Sequence, residues 1–209
     1  MVDTLLTVRN RILTEVKKAQ FTEYESFIDD AIRSAIRFYR PAKLWFLQTN
    51  STVTLEATYS DTALPVDFGA IGQLRALVNN TYLAEKYGFD HVTYTELKRD
   101  FTDSTATGSP SKWAIFGKRI YVNRKADKAY TLDIDYYKKD ATLPTGDSDT
   151  SVWFEEGVDA IRFKAMEFFL RDRLKAYNQA NEFEGKARSA YSNLATEHNA
   201  RILTSGLLR

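Results

Sequence analysis

The sequence predicts an α+β protein in which a helical bundle, formed by the N- and C-terminal helices, carries an inserted β-rich module. Three observations carry this reading. Apolar residues recur every three to four positions near both ends of the chain. Through the middle they alternate singly with polar residues, and Gly and Pro punctuate that stretch. A late helical segment is apolar on two opposite sides, the pattern of a helix enclosed by neighbours. The pattern changes place the bundle at residues 1–43 and 150–200, the inserted module at 44–149 and an extended tail at 201–209.

The first helix is expected over residues 3–19, where Leu5, Val8, Ile12, Val16 and Ala19 share a face and Asp3 is placed to cap the start. Thr22 and Glu25 have the spacing of a capping box, which predicts a second helix starting there. Its face is Tyr24, Phe27, Ile28, Ala31, Ile32, Ala35, Ile36 and Tyr39, and Pro41 ends it by pushing the preceding residue out of helical geometry. In the module, Val53 and Leu55 alternate with Thr and Glu, and Ile120 and Val122 alternate with Arg119, Tyr121 and Asn123. Gly117-Lys118 has the composition of a two-residue hairpin turn after Trp113–Phe116. A short helix is expected near 92–99 and an exposed loop over Thr102–Pro110. The clearest strand, Tyr130–Tyr137, sends Tyr130, Leu132, Ile134 and Tyr136 to one face and Thr131, Asp133 and Asp135 to the other.

From about residue 155 the period returns to helical. Val158, Ile161, Ala165 and Phe168 form one stripe, and Phe163, Met166, Leu170, Leu174 and Tyr177 form another on roughly the opposite side. This is the expected central helix. A fourth helix over about 181–200 gathers Phe183, Ala187, Ala190, Tyr191, Leu194 and His198. The last residues, Ile202 to Arg209, are apolar but interrupted by Gly206.

Composition removes whole classes of chemistry. The chain has 209 residues, no Cys and two His, so disulfide frameworks, zinc–thiolate sites, iron–sulfur clusters and thiol nucleophiles are excluded. Twenty-nine Lys and Arg nearly balance 28 Asp and Glu, which argues against intrinsic nucleic-acid affinity unless the charge is segregated. The first thirty residues have no apolar core of a signal peptide, and no stretch approaches about 18 apolar residues. The expectation is a protein made and folded in a cytoplasm, with no membrane contact.

No phosphate-binding Gly loop and no Gly-x-Ser-x-Gly elbow is present. His91 reads as a loop residue and His198 as a packed residue on an apolar helix face. Asp133 and Asp135 share a strand face, where they form either a cation-binding or catalytic pair or, more commonly, a solvated face. Asp147 and Asp149 resemble a fragment of a calcium loop without its bidentate Glu, so a turn is the better reading. Glu155, Glu156 and Asp159 suit a helix N-terminus. No catalytic residue, metal or cofactor is expected. Basic residues are uneven: residues 98–139 hold ten Lys and Arg against five Asp and Glu. Arg119, Tyr121, Arg124, Lys125 and Lys128 surround one hairpin, which either touches nucleic acid or keeps a sheet edge soluble.

Several motifs in order carry a resemblance. Leu64-Pro65-Val66-Asp67-Phe68 precedes a strand at Leu74–Val78, then come Gly108-Ser109-Pro110, Trp113–Phe116 and Gly117–Val122. A Tyr-rich strand, Leu143-Pro144 and Trp153 leading into a long helix follow. From about residue 20 onward the chain resembles the head-to-tail adaptor (connector) proteins of tailed bacteriophages, and Thr204–Arg209 is similar to the C-terminus of the podoviral tail tubular protein A type. One departure is Asn123-Arg124-Lys125, where many relatives have a Pro-rich turn.

The resemblance implies a structural protein of the virion neck, assembled in the host cytoplasm, with no enzymatic role. It implies a homo-oligomeric ring of twelve copies between the portal protein and the tail nozzle or another tail protein, with genomic DNA passing through its channel. It also implies that Ile202, Leu203, Thr204, Ser205, Gly206, Leu207, Leu208 and Arg209 bind the portal, and that the Arg119–Lys128 hairpin faces the tail or the lumen. The alternatives are a cell-wall-degrading neck enzyme using acidic residues and a nucleic-acid-binding module built on the hairpin.

Overall fold

The structure is a computed structural model that describes residues 2–16, 22–78, 81–82, 89–100, 106–139 and 143–205. The chain combines helices with strands in sheets, an α+β fold, and divides into two compact units. One comprises Met1–Leu47 and Lys139–Arg209, the other Gln48–Lys138. The β-rich unit thus ends well before the expected residue 149. The reason lies in residues 143–151, which are tied to the first helix: Leu5 N donates to Asp149 O at 2.9 Å and Leu6 N to Asp147 O at 3.1 Å.

In the helical unit, α1 (Leu5–Glu15) is capped by Thr4 rather than Asp3. Thr4 N donates to Thr7 Oγ1 at 2.6 Å and Thr7 N to Thr4 Oγ1 at 3.3 Å, a reciprocal capping box. Asp3 is drawn away by Arg11, which grips it through two hydrogen bonds of 2.6 and 2.9 Å. A 3₁₀ turn at Thr22–Tyr24 runs straight into α2 (Glu25–Tyr39). The residue at the N-cap, Tyr24, therefore has helical φ and ψ (−92°, −9°), and the expected Thr22–Glu25 capping box does not form. Ile28, Ala31, Ile32, Ala35, Ile36 and Tyr39 are buried as their spacing predicts.

The C-terminal half departs from the expected two long helices. Following the short α3 (Tyr94–Asp100) of the β-rich unit, it contains α4 (Val152–Glu156), α5 (Val158–Phe168), a π-helical turn (Phe169–Arg173) and α6 (Tyr177–Ser205). Gly157 separates α4 from α5 with a non-helical backbone (φ −130°, ψ 25°), and the site admits no side chain, since a Cβ there would lie 2.9 Å from Trp153 Cε3 and 3.3 Å from Leu194 Cδ1. Lys175, at φ +54°, turns the chain between the π turn and α6. Tyr177 therefore opens α6, 56% exposed, instead of closing the central stripe. α5 is the central helix: it packs on α1, α2 and α6 and buries Ala160, Ile161, Ala165 and Met166. α6 continues as helix through Ser205, where an extended tail was expected from 201.

Among the described side chains of α6, only a narrow seam is buried. Ala180 and Ala187 lie seven residues apart and His198 follows, with Phe183, Tyr191 and Leu194 half-buried beside them. The small Ala side chains let the helix approach closely. Trp153 sits at the centre of the aromatic core, stacked on Tyr39 at 5.6 Å and edge-on to Phe46 at 5.0 Å, while Tyr39 also stacks on Tyr191 at 5.0 Å.

Two chains of charge cross this unit. Arg9, 6% exposed on α1, donates Nε to Asp29 Oδ1 at 2.7 Å and Nη2 to Asp29 Oδ2 at 2.8 Å. It also reaches Asp147 and Glu25, so one guanidinium joins α1, α2 and the 143–151 loop. The hydrogen bond to Asp29 holds its pKa above even the ordinary arginine value. On α5, the buried Glu167 receives Lys164 Nζ at 2.6 Å on one oxygen and Arg171 Nη1 at 2.8 Å on the other. Arg171 then passes to Glu184 on α6 at 3.1 Å.

Among its described residues, the β-rich unit holds two four-stranded sheets and a small parallel pair. The first sheet has the order β1 (Gln48–Leu55), β10 (Tyr130–Lys138), β3 (Phe68–Val78), β4 (Thr81–Tyr82), all antiparallel. The second has β2 (Asp61–Ala63), β8 (Arg119–Val122), β7 (Lys112–Phe116) and β5 (Asp90–His91). β6 (Thr107–Gly108) pairs with β9 (Lys125–Ala126) inside the segment expected as loop, whose residues 101–105 lie outside the described residues.

Tyr130, Leu132, Ile134 and Tyr136 of β10 face the core, joined by Leu55, Trp113, Ile120 and Val122. The opposite face of β10 is less solvated than expected, since Asp133 is only 9% exposed. In β3, both Leu74 and Ile71 reach the core although three residues apart. Gly72 is the reason: it is the extra residue where the register with β10 shifts between Asp135 and Tyr136, and a Cβ on it would meet Asp135 O at 2.9 Å.

Candidate functional site

The hairpin singled out by its basic residues is real, and its geometry sorts them. Phe116 and Arg119 face each other across the two-residue turn, with Gly117 at φ +62° supplying the left-handed step. Because opposite residues share a sheet face, Ala114, Phe116, Arg119 and Tyr121 project to one side, and Trp113, Ile115, Ile120 and Val122 to the core. Ala114 is fully buried on the outer side because the short helix α3 (Tyr94–Asp100) packs on β7.

That packing builds an aromatic cluster. The Tyr94 ring stacks on Phe116 at 4.3 Å with an interplanar angle of 11°, and Tyr121 meets Tyr94 at 5.0 Å in an edge arrangement. Lys98 Nζ stands 5.6 Å from the Tyr94 ring and 6.0 Å from the Tyr121 ring. α3 is fixed at its start by a capping box: Thr93 N donates to Glu96 Oε2 at 2.8 Å and Glu96 N to Thr93 Oγ1 at 3.2 Å. Phe116 remains 57% exposed.

The other predicted hairpin residues have separate environments. Arg119 is ion-paired with Asp61 of β2. Arg124 is exposed with its side chain against Gly108, and Lys125 is half-buried in β9. Lys128 Nζ lies 5.7 Å from the ring of Tyr130, whose hydroxyl donates to Asp127. Sequence reasoning missed Tyr94, Lys98, Phe116 and Lys118 as members of the surface. The available signal was the Thr93-x-x-Glu96 capping box, which sets a helix beside a strand whose alternation places Phe116 outward.

Of the second predicted site, Ile202, Leu203, Thr204 and Ser205 have a helical backbone, and their side chains lie outside the described residues. Gly206, Leu207, Leu208 and Arg209 lie outside them altogether.

Of the carboxylates weighed above, four have structural partners. Asn50 Nδ2 donates to Asp133 Oδ1 at 2.6 Å and to Asp135 Oδ1 at 2.8 Å, bridging the pair. Asp149 accepts Thr145 N at 2.9 Å and Gly146 N at 2.8 Å, and these backbone bonds hold its carboxyl below the usual range. Asp147 pairs with Arg9. Glu155 and Glu156 are exposed on α4, and no group of three metal-ligating side chains occurs among the described residues. His91 sits in β5 rather than a loop, 4.4 Å from the Trp113 ring, because β5 pairs in parallel with β7. His198 is buried, as its helix face implied, and burial lowers its pKa.

A family model described as SU10 adaptor protein matches residues 3–205, nearly the whole chain. The chain belongs to the SU10 adaptor protein family. A search of curated proteins returns no match. The adaptor is thus a structural component of a phage virion, in agreement with the head-to-tail adaptor resemblance of its motifs. No helix among the described residues is long and apolar enough to cross a membrane.

Proposed function

We propose that the adaptor forms a ring in the virion neck, between the portal protein and the tail nozzle or another tail protein, and continues the channel through which genomic DNA passes. The single observation that carries this reading is the family match over residues 3–205. In a twelve-copy ring each protomer uses two different surfaces, one toward each neighbour, and rotation closes the set. The C-terminal segment Ile202–Arg209 enters the portal, and the Arg119–Lys128 segment, with Arg119, Tyr121, Arg124, Lys125 and Lys128, faces the tail or the lumen. An apolar segment of this kind is costly in water and gains by docking into a partner's groove.

Electron microscopy of the protein mixed with its portal tests the ring, and a closed ring of copies on one face of the portal is expected. Scattered monomers that never bind portal would refute the placement. Truncation after Ala200 tests the segment: portal binding should be lost, and unchanged binding would sink that assignment.

A further inference from the structure

We infer that the outer face of the β7–β8 hairpin docks an acidic segment of another virion protein, with Phe116 as the anchor. This rests on the adaptor reading and names the chemistry of the partner at that surface. Phe116 is more than half exposed, yet it is not free to move: Tyr94 stacks beneath it at 4.3 Å, and Tyr121 braces Tyr94 at 5.0 Å. Tyr94 in turn stands on the first turn of α3, fixed by the Thr93–Glu96 capping box and by the buried Leu97. A large ring already held in one orientation gives up little entropy when a partner covers it, which is the character of a binding hot spot.

The charge around the ring selects the partner. Arg119 is neutralised by Asp61, and Glu96 is engaged by Thr93. Lys98 and Lys118 have no carboxylate partner among the described residues. Lys98 stands over the Tyr94 ring that carries Phe116, and Lys118 belongs to the turn that follows Phe116, so this end of the hairpin carries positive charge that calls for acid on the incoming chain. A two-fold contact with a second copy would bring Lys98 and Lys118 against their own counterparts, and a contact with another face of a ring neighbour is the outcome that crosslinking to the same chain would reveal. A nucleic acid would find two cations and one free ring face, where strand binding uses a cationic groove with successive stacking platforms.

The test places the photocrosslinking residue p-benzoylphenylalanine at position 116 in particles, alone and combined with Lys98→Glu and Lys118→Glu. The expected product is a crosslinked peptide from a different virion protein, net negative around the attachment point. The double charge reversal should reduce its yield about tenfold or more. Circular dichroism and melting of the purified variants, with Phe116→Ala as a second variant, show that the fold is retained. Crosslinking to the same chain, to DNA or to a neutral or basic segment would overturn the inference. So would no crosslink, or a yield insensitive to charge reversal in folded protein. Micrographs of the same particles separate the two claims: a protein present in the neck with no acidic crosslink refutes only this inference, while absence from the neck refutes the adaptor placement as well.

Discussion

Replacing Arg9 by Met tests whether the helical unit depends on one buried guanidinium. Arg9 makes two charge-assisted bonds to Asp29, which is itself only 9% exposed. Removing the cation leaves a buried carboxylate without its partner, a change that costs about 3–5 kcal/mol. The links to Asp147 and Glu25 add little, because those side chains are 61% and 42% exposed and water screens them to roughly 0–1 kcal/mol each. The double variant R9M/D29L removes both buried charges and should recover most of the loss, ending within about 2 kcal/mol of the parent. Urea denaturation in a Trp113→Phe background reads this cleanly, since Trp45 and Trp153 then report on the unit that contains Arg9. A loss below about 1 kcal/mol for R9M, or a double variant no better than the single one, would refute the reasoning.

Other substitutions follow from the same geometry. Gly157→Ala should cost about 1–3 kcal/mol in thermal unfolding, because its Cβ falls 2.9 Å from the Trp153 ring, and an unchanged melting point would show that α4–α6 do not approach so closely. Tyr136→Phe removes a 2.6 Å bond to Asp67 Oδ1 but keeps the 5.7 Å stack with Phe68, so a loss of about 1–2 kcal/mol is expected. In the parent, burial and Asp67 push the Tyr136 hydroxyl up to about 12, and this group should be missing from a phenolate titration below that pH. Burial lowers the His198 pKa from its ordinary 6.5. The unfolded chain then takes up a proton near 6.5 that the folded chain refuses, so this contribution is complete above that pH and is lost as pH falls through the folded value. Denaturation midpoints at pH 7.5 and 5.5 should differ in that direction, and His198→Gln should reduce the difference.

β10 was legible in the sequence because its alternation is strict and nothing nearby competes. The strand-forming Tyr, Ile and Leu fall on one face and the polar residues on the other. Caps were harder. Asp3 and Thr4 are both good N-caps, and the choice was made by Arg11, eight residues away. The π turn was invisible because Phe169–Arg173 continues the helical apolar period, and only Lys175 in left-handed geometry reveals the break. On the hairpin, the excess of basic residues could be counted, but not which of them is neutralised. Asp61 lies 58 residues before Arg119. Tyr94 and Phe116 likewise meet only because α3 folds onto β7, so the aromatic cluster is a tertiary product that no local pattern announces.

The alanine seam of α6 has a mechanical consequence. The helix has 29 residues, so it is a rod about 44 Å long, and its buried contacts run along one line through Ala180, Ala187 and His198. A rod fastened along a line resists sliding lengthwise, since Phe183, Tyr191 and Leu194 stand as teeth beside it, but it offers far less resistance to rolling about that line. A sideways pull at Ser205 therefore arrives at Ala180 and Ala187 as torque, while a pull along the axis is shared by the whole seam. On this geometry α6 should yield more readily to a sideways pull than to an axial one, with Arg171–Glu184 and the Arg201–Trp45 contact as its outriggers.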